Sequence, residues 1–429
     1  VIYLSTINSN LSADKAGTLY VGIDLSLKSN QVVVTDTFGK QLATFAVGND
    51  LPGANKFKEK IIQIAKQYQI ATIKIGMEAT SLYWWHLYQF LVQDETLNKE
   101  YILDVFTLNP KLVKRFHKAT ADLDKTDPID ASVIADTVRF GKVTQSHLID
   151  EVYEPLKRLT RFRCHLVTSL IVEKNYFLTH LFLKYSSWQK IKPFSSAFGT
   201  TAQEIISKFD PEEITNLSIT ELAERMIGLS RNRLADPVKT ALLVKEVANS
   251  SYQLANKLKE PIDLILTNTY DNIRYFGEKI KTIDAVIEKE FSRYTNPLTS
   301  IKGIGLVFAA GITAELGTTS RFRRQSQVGK YAGLAWKKSQ SGEFTAEETP
   351  RKPGNTYLRY YLVQAASSLR VHNEEYKVYY ERKYQEVPKH QHKRALVLTA
   401  RKLVRLCFAM LRDQRFYQPG NQKGDQPKS

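Results

Sequence analysis

Residues 18–48 read TLYVGIDLSLKSNQVVVTDTFGKQLATFAVG, and this stretch decides the architecture of the N-terminal third. LYVGIDLSL, QVVVTDT and QLATFAVG are rich in β-branched and aromatic residues and are separated by the short polar turns KSN and FGK. That pattern predicts a meander of three consecutive strands, most economically antiparallel. Outward toward the C-terminus come a helix over NKFKEKIIQIAKQYQ, a buried-type strand ATIKIGME, a helix SLYWWHLYQFLVQ and a strand YILDVFTL. NPKLVKRFHKA and a helix opening at DPIDASVIADTVRFG follow. Three strands and then alternating helices and strands predict an α/β layer built on a mixed sheet, placed at residues 18–150. Residues 1–17 read as a polar, loose terminus without the basic and apolar segments of a signal peptide.

Strand signals vanish over residues 151–295. LKRLTRFRCHLVTSLIVEKNYFLTHLFLKY and the run from Ala235 to Phe291 predict long helices, as helical hairpins or a coiled-coil arm. Residues 296–416 form a mainly helical C-terminal region, and 417–429 a polar tail. Near its start, LTSIKGIGLVFAAGITAELGT places Gly303 and Gly305 between two helical runs. This reads as a helix-hairpin-helix, whose glycines let backbone N–H groups approach a phosphate, or as a plain packing turn.

The chain has 429 residues, with 61 Lys and Arg against 44 Asp and Glu, a net charge of +17. Nucleic acid is the first partner class this suggests and an anionic membrane surface the second. Residues 331–429 alone hold 19 basic against 9 acidic residues. In KHQHKRALVLTARKLVRLCFAMLRDQR, Ala395, Leu396, Leu398, Leu403, Leu406 and Met410 can share one helix face. Lys393, Arg394, Arg401, Lys402 and Arg405 then take the others. No apolar run is long enough to span a membrane. Two distant cysteines, Cys164 and Cys407, exclude a disulfide framework or Cys-rich zinc site and fit a reducing cytosol.

Four acids stand out by position. Asp24 interrupts an apolar strand, Glu78 ends another, and Asp127 and Asp130 sit one helical turn apart in DKTDPIDA. The last pair also reads as an ordinary helix start, with Asp127 as N-cap and Pro128 at the first helical position. Taken together, the four carboxylates repel unless a cation neutralises them. Mg²⁺, with Mn²⁺ as a substitute, takes such oxygen ligands and leaves positions for phosphate oxygens. A pair of ions can stabilise the attacking and leaving oxygens of an in-line displacement. A strand Asp, a strand-end Glu and a helix-borne Asp pair in a mixed sheet form the layout expected of RNase-H-like nucleases. Lys125 could meet a phosphate there or be a solvated charge.

At these residues the chain resembles the DEDD-type transposases of bacterial insertion sequences, the bridge-RNA-guided recombinases. The match runs from YVGIDLSLKSN through IGMEAT to NPKLVKRFHKATADLDKTDPIDASVIAD, with the family's signature at Lys125, Thr126, Asp127, Asp130 and Ala131. It resumes at IKGIGLVFAAGITAELG, QVGKYAGLAWKKSQSG, PGNTYLRYYLVQAA and RALVLTARKLV. Trp336 departs from the family, in which many relatives carry Pro before the basic pair.

The resemblance implies a RuvC-like N-terminal domain whose catalytic and metal-binding acids are Asp24, Glu78, Asp127 and Asp130. It also implies a nucleophilic serine in a Ser-Gly motif, here Ser341-Gly342, with Ser339 as the rival. Attack by that serine leaves DNA joined through its 5′ phosphate and frees a 3′ hydroxyl, so rejoining needs no nucleotide cofactor; the chain has no P-loop. Lys28, Lys125, Gly303, Gly305, Lys337, Lys338, Arg351, Lys352 and Arg359 are the candidate nucleic-acid contacts. The implied partners are donor and target DNA, a noncoding guide RNA whose loops pair with both, and further copies of the chain, as a tetramer with sites completed between protomers. The expected location is the bacterial cytoplasm, on the nucleoid. A RuvC-like endonuclease or junction resolvase using water as nucleophile is the alternative, and a non-catalytic nucleic-acid scaffold a third reading.

Overall fold

β1 (Thr18–Leu25) lies at the centre of a five-stranded sheet, with Leu19, Val21 and Ile23 buried on one face and Gly22 buried on the other. In this computed structural model the described residues are 17–119, 126–141, 143, 150–337, 340, 341, 344, 345, 349, 350 and 354–418; the side chains of 119 and 336–350 are not described. β2 (Ser29–Thr35) and β3 (Gln41–Gly48) follow β1 as an antiparallel meander. Helix α1 (Leu51–Gln67) buries Phe57, Ile61 and Ala65 at four-residue spacing, its N-terminus capped by Asp50. β4 (Thr72–Glu78) returns parallel to β1. After α2 (Trp85–Gln93) and α3 (Glu95–Glu100), β5 (Ile102–Leu108) runs parallel to β4. The strand order is β3-β2-β1-β4-β5, the mixed sheet expected from the sequence. α4 (Pro110–Ala119) and α5 (Asp127–Arg139) complete this unit, which spans Val1–Leu148.

Leu19, Val21, Ile23, Val32, Ile73, Ile75 and Met77 are essentially inaccessible to solvent. Each such burial contributes about 1.5–3 kcal/mol, enough for the strand ends to carry unfavourable charge.

The second unit, Ile149–Ser429, is mostly helical. α6 (Glu154–Lys184) and α12 (Asn256–Phe291) pack along each other. Between them α7 (Trp188–Ile191), α8 (Thr200–Lys208), α9 (Pro211–Asn216), α10 (Ile219–Ser230) and α11 (Pro237–Asn249) form a cluster. With parts of α6 and α12 this cluster closes one core, around Phe177, Leu181, Trp188, Met226 and Leu266. The run expected to be one long helical stretch from Ala235 is broken at residues 250–255, between α11 and α12.

A second core joins Leu156, Ile287 and Phe291 to α13 (Leu306–Leu316), α14 (Gln325–Tyr331), α15 (Thr356–His372), α16 (Glu374–Gln385) and α17 (Gln391–Asp413). It therefore continues across residue 295. Two small two-stranded ladders lie between α14 and α15. β6 (Trp336–Lys337) pairs with β9 (Thr349–Pro350), and β7 (Gln340–Ser341) with β8 (Phe344–Thr345). The buried face of α17 holds Ala395, Leu403 and Met410 as expected, but also Thr399, Cys407 and Phe408, while Leu396, Leu398 and Leu406 are only partly buried. Among the described residues no helix is long and apolar enough to cross a membrane.

Candidate active site

The site in the first unit is built on two glycines. A Cβ at Gly22 would stand 1.9 Å from the Ala131 carbonyl oxygen and 2.4 Å from the Ala135 nitrogen; one at Gly76 would stand 2.5 Å from Val138 Cγ2. Helix α5 thus lies directly on the backbones of β1 and β4, presenting Ala131, Ile134, Ala135 and Val138 to them. Side chains alternate along a strand, so Asp24 and Glu78, two residues beyond the glycines, point to the same face as α5. Ile23 stands beside Met77 in the parallel ladder, so the two acids follow as the next neighbours. Asp127 and Asp130 lie in the first turn of α5.

Asp24 registers this assembly. Burial, then the charges of Asp130, Asp127 and Glu78, push its carboxyl up to about 6. Thr80 Oγ1 donates to Glu78 Oε1 at 2.7 Å. Asp24 thus feels the charges of the other three acids at the carboxyl end of β1 and β4, although no three His, Cys, Asp or Glu side chains among the described residues are gathered tightly enough to hold an ion as they stand.

The helix-start reading needs one correction. Thr126 takes the N-cap position and Asp127 the first helical position, and the Thr126 side chain makes no capping bond. Asp127 is thus not engaged as an N-cap.

His117 on α4 was not singled out by the sequence. Its Nε2 lies 3.6 Å from Asp130 Oδ1. The only signal was its place in NPKLVKRFHKA, shortly before the acidic pair. Lys28 is exposed in the β1–β2 turn. Lys125 lies outside the described residues.

In the second unit the backbone of Ser341 is in β7, opposite Phe344. Lys337 is in β6, opposite Thr349. The side chains of both, and Ser339, Lys338, Gly342, Arg351 and Lys352 altogether, lie outside the described residues.

What the structure does show is how this segment is anchored. Glu315 on α13 has a fully buried carboxylate, to which Arg161 of α6 donates twice, at 2.6 and 2.8 Å. Asn355 Nδ2 donates to Glu315 Oε2 at 2.6 Å, while Asn355 Oδ1 caps α15 by accepting from Tyr357 N and Leu358 N. The Asn355 N–H donates to the Tyr331 carbonyl at 2.6 Å. Both stems of the serine-bearing segment are therefore tied to one buried ion pair.

Gly303 has φ +102°, in the region that favours glycine, and Gly305 is the N-cap of α13 with open space beside it. The element before Gly303 is a four-residue 3-10 helix, Pro297–Ser300. Arg359 is half-buried on α15. On α17, Lys402 pairs with Glu375 at 2.7 Å and Arg394 with Glu386 at 3.0 Å. Arg401 Nη1 is buried without a hydrogen-bond partner, and burial followed by the Arg405 charge lowers the pKa of Arg401.

In comparisons with known proteins, the acids and the serine fall in two separately matched regions. A family profile of the DEDD type, described as transposase, matches residues 21–185, which contain all four acids. A second profile, of transposases of the IS116/IS110/IS902 family, matches residues 295–381, which contain Ser341. The chain is 24% identical to the insertion element IS110 uncharacterized 43.6 kDa protein of Streptomyces coelicolor, over 68% of this chain and 72% of that protein. It is also 24% identical to the insertion element IS116 uncharacterized 44.8 kDa protein of Streptomyces clavuligerus, over 72% and 76% of the two. The insertion element IS900 uncharacterized 42 kDa protein of Mycobacterium paratuberculosis matches at 24% identity over 69% and 73%. With both profiles falling in order on the two regions that carry the acids and the serine, the chain belongs to the IS110-type, DEDD transposases of insertion sequences.

Proposed function

We propose that this transposase cuts and rejoins DNA through a covalent link between Ser341 Oγ and a 5′ phosphate, directed by a structured RNA. The observation that carries the reading is the coupling of Asp24 to Asp130, Asp127 and Glu78 at one strand end. Hard oxygen donors crowded around Asp24, whose own carboxyl is pushed up by the charges of the other three, suit a divalent cation, Mg²⁺ or Mn²⁺. The sheet order β3-β2-β1-β4-β5 supports an RNase-H-like, RuvC-like reading of this unit. The open N-terminus of α13 at Gly305 supports a phosphate contact of the helix-hairpin-helix kind.

The chain's residues divide the work. Asp24, Glu78, Asp127 and Asp130 would hold the ion, which when bound supplies charge stabilisation at the phosphate oxygens. Ser341 Oγ forms the bond to phosphorus as the bond to the 3′ oxygen breaks, so the phosphodiester energy is retained for rejoining. The Glu315–Arg161–Asn355 network holds the stems of the serine segment. A cluster of acids and a serine on separate units is the arrangement expected if protomers of a tetramer complete one another's sites. The +17 charge favours the RNA and DNA backbones as partners.

A nicked suicide DNA substrate, incubated with the protein, the element's RNA and Mg²⁺, tests this. A protein–DNA adduct that survives denaturation, persists in Ser339→Ala and disappears in Ser341→Ala is expected. Undiminished cleavage by Ser341→Ala would instead establish water as the nucleophile, as in a junction resolvase. Efficient sequence-specific recombination without RNA would refute the guidance.

A further inference from the structure

The face of the sheet opposite the acids carries a cavity that the reaction above does not use. Gly22 faces α5, so Ile23 and Leu25 point the other way, and so do their cross-strand partners Val32 and Asn30. Asn30 therefore stands at the same strand end as Asp24 but behind it. Its side chain is only 1% exposed, its Nδ2 donates to Asn49 Oδ1 at 3.3 Å, and its Oδ1 has no partner at all. An orphaned buried carbonyl is expensive unless something donates to it.

That atom belongs to a residue lining a cavity of about 340 Å³, at the small end of ligand pockets. Leu51 and Ala54 of α1 and Leu87 and Phe90 of α2 supply apolar walls. Leu51, 65% exposed, stands at the mouth. The rim is tied to the catalytic side. The Asn49 N–H donates to the Lys28 carbonyl at 3.0 Å, and Asn49 Nδ2 donates to the Ser26 carbonyl at 2.9 Å and the Tyr83 carbonyl at 3.2 Å. One residue thus pins both the turn after β1, which carries Lys28, and the loop that leads away from Glu78.

We propose that this cavity receives one unpaired base of the DNA strand being cut, a few nucleotides from the scissile phosphate. Asp50, His86 and Asn49 complete the lining. A base is flat and apolar on its faces and carries N–H donors on its edge, which matches apolar walls, polar groups at one side and an unmatched buried acceptor. Lys28, exposed in the turn whose carbonyl the lining residue Asn49 holds, suits the backbone that links that base to the acids. The inference rests on the reading of the chain as a DNA strand-transfer enzyme. It adds a contact that recognises an unpaired nucleotide and holds the strand in register.

The test uses the full-length protein and single-stranded DNA oligonucleotides in which one abasic position is moved through the sequence. In the wild type, one position is expected to weaken binding about tenfold, with small effects elsewhere. In Leu51→Trp, whose new side chain closes the mouth from an exposed site, the intact oligonucleotide binds about tenfold more weakly and the abasic dependence disappears. Binding of a blunt duplex of the same sequence is unchanged. Asn30→Leu, which removes the orphan acceptor, reduces the same positional effect. A flat abasic profile in the wild type, with duplex and single strand both bound, would overturn the pocket and leave the strand-transfer reading standing. Failure to bind either form of DNA would remove the premise along with the pocket.

Discussion

Replacing Asp24 by Asn should make the protein more stable and catalytically dead. The folded carboxyl titrates near 6 rather than at 3.8, so its proton is held more tightly in the folded than in the unfolded chain. For an acid shifted this way, the associated stability is fully present below the unfolded pKa and is lost as the pH rises through the folded one. The window is therefore about pH 4 to 6, and above it the ionised, repelled Asp24 weighs against folding. A shift of about two units corresponds to roughly 3 kcal/mol, and the partial exposure of the group reduces this to about 1–3 kcal/mol. Asn keeps the size of the side chain and removes the charge. In calorimetry without divalent ions, Asp24→Asn should melt about 3–8 °C above the wild type near pH 8. The gap should close near pH 4. A variant that melts below the wild type at high pH, or a gap independent of pH, would refute the view that the acids are held together against their own repulsion.

Gly22→Ala should destabilise the first unit by about 1–3 kcal/mol or more, since its Cβ would overlap the Ala131 carbonyl and lift α5 away; urea unfolding reads this. The same change should lower the Asp24 pKa, as Asp127 and Asp130 move off with the helix. Arg161→Ala leaves the Glu315 carboxylate buried and short of its guanidinium, at a cost of about 3–5 kcal/mol measured by the same method. Gly303→Ala places a side chain on a backbone at φ +102° and against His372 and Leu369, so a loss of about 1–2 kcal/mol is expected by thermal denaturation.

The sheet and its acids were legible because their signals are local. Alternating β-branched residues name strands, and an acid inside LYVGIDLSL or at the end of IKIGME is conspicuous without any partner in view. Gly22 and Gly76 became meaningful only once α5 was seen resting on them. The supports of the serine segment were out of reach for a plainer reason. Arg161 and Glu315 are 154 residues apart, and nothing in AGITAELG distinguishes a buried ion-pair acid from an exposed one. Asn30 is equally silent, because a polar residue at the start of a strand is ordinary until its carbonyl proves buried and unmatched. The break between α11 and α12 falls at SSYQLA, where the weaker helix formers Ser250, Ser251 and an exposed Tyr252 interrupt a run whose helical pattern otherwise continues.

If Asp24, Glu78, Asp127 and Asp130 hold one divalent cation, as proposed, a titration of the protein with Mn²⁺ near pH 6 that records both heat and released protons will show it. Saturable binding with proton release from Asp24 is expected, and loss of both binding and proton release in Asp24→Asn and in Asp127→Asn. Binding that survives both substitutions unchanged, or that releases no proton, would contradict it.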